Sequence, residues 1–532
     1  MYISQVLLCV LLLKTALGAP AAVSNTKPKV VCYYGSWSVY RNGIGKFDVE
    51  NIDVNLCTHI IYTFAGLDES TSMIKVLDPW NDLPDNWGKN AYGRFTGLKA
   101  QNQELKTLLA IGGWNEGSMK YSKMAADPKK RAIFIESAVK LLMKHNFDGL
   151  DMDWEYPALR GGVPEDNTNF SILLKELKKA FSSHGLLLSA AVGMGPTTIA
   201  SAYDVPTIAE SLDFINLMTY DFHGAWEKQT GHNTPLSVRP SETGEWRLFN
   251  LESSVSTWLS LGAPAHKLVL GLATYGRTFT LADVSSTGLD APSIGGGKAG
   301  QYTRQQGIIG YYEICSTIGD WDMFFNENVA APWAVKGNQW IGFDDAESIT
   351  TKSEWGKSLG LGGAMIWSLE TDDFRNICGQ GSFPLLSAIN KVWRQGNPEL
   401  PTIISRPQNV THISTLQTSI GTSSTQNVKT STIPPSYPTT IDTTSESVTN
   451  SPVQNSTTPS SSTTEHPEKT TISNIACTKE GYFAIPQDCS MFYFCRRSEN
   501  VWIRYNFHCP TGLYFNPSVL ACDWPYNVPS CQ

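Results

Sequence analysis

Charge is scarce in this 532-residue chain. Asp, Glu, Lys and Arg make up 17% of it, against about a quarter in an ordinary soluble domain. The formal net charge is −8. That balance offers no basic face and excludes nucleic acid as an expected partner. No run of 18 apolar residues occurs, which excludes a membrane span as the default reading. No two cysteines stand in a CxxC pair, so the closely spaced zinc motifs are missing. Neither a metal nor a cofactor is expected. The length itself excludes a single ordinary domain and points to two to four.

What the chain does have is unevenly placed. Val6–Leu13 is an unbroken apolar octet, followed by small residues at Ala16 and Gly18. It is too short to cross a bilayer and reads as a secretory signal, residues 1–18, whose leading residues lack Lys and Arg. Of the 11 cysteines, Cys9 would leave with that segment. Ten remain, an even number that suits disulfides in an extracellular protein. Four lie in the first 400 residues and six in the last 56. Between these groups the composition changes. Of the 70 residues from Pro401 to Thr470, 32 are Ser or Thr and eight are Pro. Such a segment cannot bury enough apolar surface to offset its ordering entropy. Residues 396–474 therefore read as an O-glycosylated spacer. Sequons stand at Asn409 and Asn455 within it, and at Asn169 upstream.

Before the spacer, short apolar runs recur at Val30–Tyr34, His59–Phe64, Thr107–Ile111, Gly149–Asp153, Leu186–Val192, Phe214–Met218, Leu268–Leu272 and Gly363–Trp367. Helix-like stretches such as Pro128–His145 and Asn169–Phe181 separate many of them. Eight such strands predict an α/β fold, a parallel (β/α)8 TIM barrel over residues 29–395. The long gap before the eighth strand predicts a small α+β insertion, at about residues 278–343, beside the active face.

The most informative segment is Phe147–Pro157, FDGLDMDWEYP. Asp151, Asp153 and Glu155 alternate, and on a strand they would share one face, roughly 6.5 Å apart. Leu150, Met152 and Trp154 would face the covering helices. Three acids so close cannot all ionise cheaply at neutral pH, so one proton should be retained. That suits acid catalysis, with Glu155 nearest the mouth. A cation site is the competing reading. The aromatic flanks, poor in oxygen ligands, weigh against it.

This segment resembles the DGxDxDWEYP signature of glycoside hydrolase family 18, the chitinase family. Further matches follow in order: Ala110–Asn115 (AIGGWN), Asn216–Gly224 (NLMTYDFHG), Thr274–Phe279 (TYGRTF) and Gly363–Leu369 (GAMIWSL). Ala110 stands where the family pattern has Ser. The resemblance covers about Lys29–Trp393. It implies a secreted, endo-acting chitinase that works with retention through an oxazolinium formed by the substrate's own acetamido group. Glu155 would be general acid and base. Asp153 would orient the acetamido N–H, Asp151 would share its proton, and Tyr220 would hold the acetamido carbonyl. Met218, Asp221 and Tyr156 would line the same subsite. Trp367 would lie under the cleaved sugar. Trp37, Trp114 and Trp226 would be platforms, since sugar C–H faces stack on indole much as other flat surfaces do. Asn115, Tyr275, Arg277 and Glu313 would add polar contacts, Glu313 from the insertion. For each tryptophan the competing reading is a core position.

The last segment, residues 475–532, has the spacing C-x11-C-x5-C-x13-C-x12-C-x8-C. A core this small usually needs staples, and spacing alone leaves 15 connectivities open. With FYFC at Phe492–Cys495, GLYFNP at Gly512–Pro517 and CDWP at Cys522–Pro525, it resembles a peritrophin-A type chitin-binding module. That resemblance implies Cys477–Cys495, Cys489–Cys531 and Cys509–Cys522, and in the barrel Cys32–Cys57 and Cys315–Cys378. Tyr493, Tyr514, Phe515 and Trp524 are candidate stacking residues, or members of a small core. The partners expected are chitin and N-acetylglucosamine oligomers, for a monomer in the extracellular space. A barrel that binds chitin as a lectin without turnover is the alternative. The retained Asp151, Asp153, Glu155 and Tyr220 weigh against it. An N-glycan-directed endoglycosidase and a structural matrix protein fit the tail and the acids less well.

Overall fold

The computed structural model describes residues 27–394, the strand Thr411–Ile413, and discontinuous parts of 477–528. The signal segment, Asn409, Asn455 and nearly all of the spacer lie outside them. The described residues fall into two units, one within 1–414 and one within 415–532.

The first unit is a closed barrel. Its strands are Lys29–Gly35, His59–Leu67, Lys106–Gly112, Gly149–Asp153, Leu187–Val192, Phe214–Leu217, Leu268–Ala273 and Gly363–Trp367. Each pairs in parallel with its neighbours, and the first pairs with both the second and the eighth, which closes the ring. A period of two divides each strand between two cores. Val31, Tyr33, Ile61, Leu108, Ala110, Phe214, Val269 and Met365 fill the barrel interior. Leu150, Met152 and Trp154 point outward and pack with Phe170, Leu173 and Leu177 of the helix Asp166–Ser182, as the alternation predicts. Covering helices start where the sequence signals a start. Asp127 caps Pro128–Lys144 by accepting from the Lys129 and Lys130 N–H groups, with Pro128 in the first turn.

The insertion begins earlier than expected. Its first strand, Tyr275–Leu281, follows the seventh barrel strand almost without a break, and its last is Gln339–Gly342. The helix Tyr311–Thr317 lies within it. Trp333 and Trp340 sit with Phe279, Leu281 and Val335 in a separate core. The Cys315–Cys378 disulfide joins the insertion helix to the segment after the eighth barrel strand, and Cys32–Cys57 joins the first strand to the segment just before the second. Three residues of the expected spacer, Thr411–Ile413, run parallel to the insertion strand Asp322–Asn326.

The second unit has an antiparallel sheet, Gly481–Ile485, Asp488–Ser498 and Val501–His508, and a hairpin of Tyr514–Asn516 with Ala521–Asp523. Cys477–Cys495 is formed. Cys489 is also disulfide-bonded. Cys509 and Cys531 lie outside the described residues, and with them the expected pairs Cys489–Cys531 and Cys509–Cys522. No helix among the described residues is long and apolar enough to cross a membrane.

Candidate active site

The three acids do not all stand on one strand. The fourth barrel strand ends at Asp153, and Glu155 sits in the bend beyond it. Asp151 is fully buried on the barrel axis. Tyr33 Oη donates to its Oδ2 at 2.8 Å, Ser189 Oγ to its Oδ1 at 2.6 Å, and Asn216 Nδ2 to the same oxygen at 3.2 Å. Burial raises its pKa to about 6, against the pull of those three donors. Tyr33, Ser189 and Asn216 were not among the expected site residues. Ser189 and Asn216 are lone polar residues in the apolar strands LLSAAV and FINL. That interruption is the signal that could have found them.

Asp153 is buried next to Asp151, and its Oδ1 has no hydrogen-bond partner among the described residues. Burial first, then the charges of Glu155 and Asp151, push its pKa well above the carboxylate range. Glu155 is half-buried. Burial lifts it to about 7, Arg160 pulls it down, and Asp221 adds a smaller push upward. Tightly coupled acids share protons as a set, and both directions here favour a protonated group at neutral pH.

The neighbouring strands are built to bring these acids close. A Cβ on Gly112, at the end of the third strand, would lie 2.1 Å from the Asp153 carbonyl oxygen. A Cβ on Gly113, whose φ is +83°, would meet the Phe64 ring at 2.8 Å. The paired glycines of AIGGWN thus permit the close approach. The Glu155 loop is anchored by buried polar groups. Trp154 Nε1 donates to Ser118 Oγ at 2.6 Å, and that hydroxyl donates to the Tyr156 carbonyl at 2.7 Å. Asp166 accepts from Ser122 Oγ and from the N–H groups of Ala158 and Val163.

Opposite, Tyr220 and Met218 are buried at the mouth of the barrel interior. The Tyr220 hydroxyl is held protonated by burial and by the charges of Asp153, Asp221 and Glu155 nearby. Asp221 clasps the insertion. Tyr275 Oη donates to its Oδ1 at 2.5 Å, Arg277 Nε to Oδ1 at 2.9 Å, and an Arg277 terminal nitrogen lies 2.6 Å from Oδ2. Arg277 also stacks over Trp226, 4.9 Å from its ring centre.

The expected platforms are arranged around this centre. Trp37 packs face-on to Phe64 at 6.1 Å between ring centres, Phe64 to Trp367 at 5.9 Å, and Tyr33 lies 5.5 Å from Trp367. Phe64, a further unexpected member, continues the aromatic floor. Trp37, Trp114 and Trp226 are 42%, 59% and 59% exposed, so each has ring surface open to solvent. Asn115 is exposed beside Trp114.

Three expected residues are placed otherwise. Glu313 is 4% exposed, and its two oxygens accept from the N–H groups of Tyr302 and Thr303 and from Thr303 Oγ1. Its carboxylate is committed to that loop and does not reach the groove. In the small module, Tyr493 is buried against Phe483, and Phe515 is fully buried, stacked 4.4 Å from Phe492. Both are core residues, by the burial that a platform cannot have. Tyr514 is partly exposed, and Trp524 lies outside the described residues. Asn169 is half-buried near the start of the helix Asp166–Ser182.

A closed barrel with a carboxylic-acid series at the end of its fourth strand, walled by an inserted sheet, defines a glycoside hydrolase. The chain belongs to glycosyl hydrolases family 18, whose family model matches residues 29–372. Residues 477–531 match the chitin binding Peritrophin-A domain. Among curated proteins the chain is similar to Probable chitinase 10 of Drosophila melanogaster, at 38% identity over 515 residues. That alignment covers 95% of this chain but 21% of that protein. Among solved structures it is similar to the Ostrinia furnacalis Group IV chitinase, with 45% identity and a TM-score of 0.67, covering 69% of this chain and all of that one. Human YKL-39, described as a pseudo-chitinase with retained chitooligosaccharide binding, is also similar. It has 41% identity and a TM-score of 0.64, over 69% of this chain and 99% of that one.

Proposed function

We propose that this chain is a secreted chitinase that hydrolyses β-1,4-linked N-acetylglucosamine polymer by substrate assistance. The observation that carries the reading is the pair Asp153–Glu155. One buried carboxyl oxygen lacks a donor, and beside it an acid is poised near neutrality. An acetamido N–H supplies the missing donor. Held by Asp153 and Tyr220, the acetamido carbonyl oxygen attacks the anomeric carbon as the glycosidic C–O bond breaks. Glu155 gives its proton to the leaving oxygen. The Glu155 carboxylate then takes a proton from water, which opens the oxazolinium at the same carbon and regenerates the acetamide. Two inversions give net retention. Asp151 is locked by Tyr33, Ser189 and Asn216, and its charge state tunes Asp153. The C-terminal module tethers the barrel to insoluble polymer and raises the effective substrate concentration. Val6–Leu13 supports export, and a monomer suffices for this chemistry.

The test is early-time NMR of products from N-acetylglucosamine hexamer. β-Anomers first, at wild-type rates abolished in Glu155→Gln, are expected. α-Anomers first would exclude retention. Tight oligomer binding without products would favour the lectin-like barrel, the behaviour described for YKL-39.

A further inference from the structure

Arg160 was not among the expected site residues, yet it touches two of them. Its guanidinium carbon lies 3.5 Å from the centre of the Trp114 ring. One terminal nitrogen donates to the Glu155 carbonyl at 2.9 Å, the other to the Trp114 carbonyl at 2.9 Å. The residue has φ +51°, a left-handed backbone that a long side chain rarely adopts without cause. The loop is fixed on both sides of it. Asp166 accepts from the N–H groups of Ala158 and Val163, and Gly162 N–H donates to the Leu159 carbonyl. Arg160 is thereby aimed across the gap between the loops that follow the third and fourth barrel strands. One face of Trp114 is covered by the guanidinium while the ring stays 59% exposed. The other face remains open to a sugar.

We propose that Arg160 is a positioning and specificity residue. It clamps Trp114 to the Glu155 loop and sets a fixed cation beside the sugar that stacks there. The groove then favours neutral N-acetylglucosamine over cationic glucosamine at that position. The inference rests on the hydrolase reading above. A guanidinium suits the role because it stacks and donates twice in one plane.

The same charge acts on the acid. The groups facing Glu155 are Asp153, Asp221, Tyr156, Tyr203, Tyr220 and Arg160, with Asp151 behind Asp153 and Arg277 neutralising Asp221. Arg160 is the strongest of the influences that hold Glu155 down against burial. Removing the cation keeps Glu155 protonated to higher pH, so the alkaline limb of kcat/KM moves upward.

The experiment uses the full chain as wild type, R160Q and R160K. Substrates are the fully acetylated pentamer and partly deacetylated chitin oligomers of equal length, each at low and at about 1 M salt, where screening is near complete. Wild-type turnover of the pentamer secures the hydrolase reading first, and an inert wild type would sink that reading rather than this one. In R160Q the preference for acetylated substrate should narrow roughly threefold to tenfold, the scale of a like-charge contact at a half-open site. Its alkaline limb should shift up. R160K should keep the preference and the limb but raise KM, having lost the planar stack and double donation. High salt should narrow the preference in the wild type. An active R160Q with wild-type preference and limb overturns the proposal, and so does R160K behaving like R160Q. Should R160Q fail to fold, R160K and the salt series still decide.

Discussion

Glu155→Gln should produce an enzyme that is inactive yet more stable in alkali. The substitution is nearly isosteric and removes only the ionisable group. In the folded protein the Glu155 pKa stands at about 7, against an ordinary 4.5. A carboxyl raised in this way binds its proton more tightly folded than unfolded. Its contribution is fully favourable below pH 4.5 and is lost as pH rises to 7. Above pH 7 the half-buried carboxylate burdens the fold by up to about 3 kcal/mol, at 1.36 kcal/mol per pKa unit. Gln carries no such burden, and its removal of charge also relaxes Asp153. At about 2.1 cal/mol/K of unfolding entropy per residue over the barrel, that is a gain of roughly 4 °C in Tm at pH 8. At pH 4 the two proteins should melt together. Meanwhile turnover should fall by about 10⁴-fold, the upper range for a lost general acid and base. Paired calorimetric scans at pH 4 and pH 8, with oligomer assays alongside, read both. A Tm difference independent of pH would refute the raised pKa. Turnover within tenfold of wild type would remove Glu155 from the acid role.

Other perturbations separate support from chemistry. Tyr33→Phe deletes a buried donor to Asp151 and should cost about 1–3 kcal/mol of stability, read by denaturant titration. Trp367→Ala should lower kcat/KM on oligomers by about 30-fold or more, the effect of losing an anchor worth about 2 kcal/mol. Unchanged kinetics would move the cleaved sugar off that ring. Deleting residues 477–532 should spare rates on soluble oligomers and lower those on crystalline chitin. Equal losses on both would make the module structural.

Much of this was legible in one dimension because barrels repeat. Each apolar run in the first 400 residues became a barrel strand, since a strand buried on both faces has no polar alternation to disguise it. The acids were legible because the residues between them, Met152 and Trp154, had to face the helices. What was hidden came from partners distant along the chain. Tyr33 and Asn216 meet Asp151 across 118 and 65 residues, and no local pattern encodes that meeting. Glu155 lies beyond the strand, which ends at Asp153, while Trp154 between them is tied to Ser118 through its indole N–H. Glu313 misled for the opposite reason. An acid in a segment that borders a cleft invites a binding role, while the loop's own N–H groups had the prior claim. Tyr493 and Phe515 repeat the lesson on a smaller scale, because a module so small has few other residues with which to make an interior.

The Cys315–Cys378 bond encloses the later insertion strands, the helix Ala346–Ser358 and the eighth barrel strand within one covalent loop. A protease that cuts once anywhere between the two cysteines therefore releases nothing. The nicked molecule keeps the strand that carries Trp367 threaded into the ring. It separates into smaller pieces only after reduction and unfolding. A single cut there thus leaves Trp367, with Tyr33 and Phe64 packed beside it, in place.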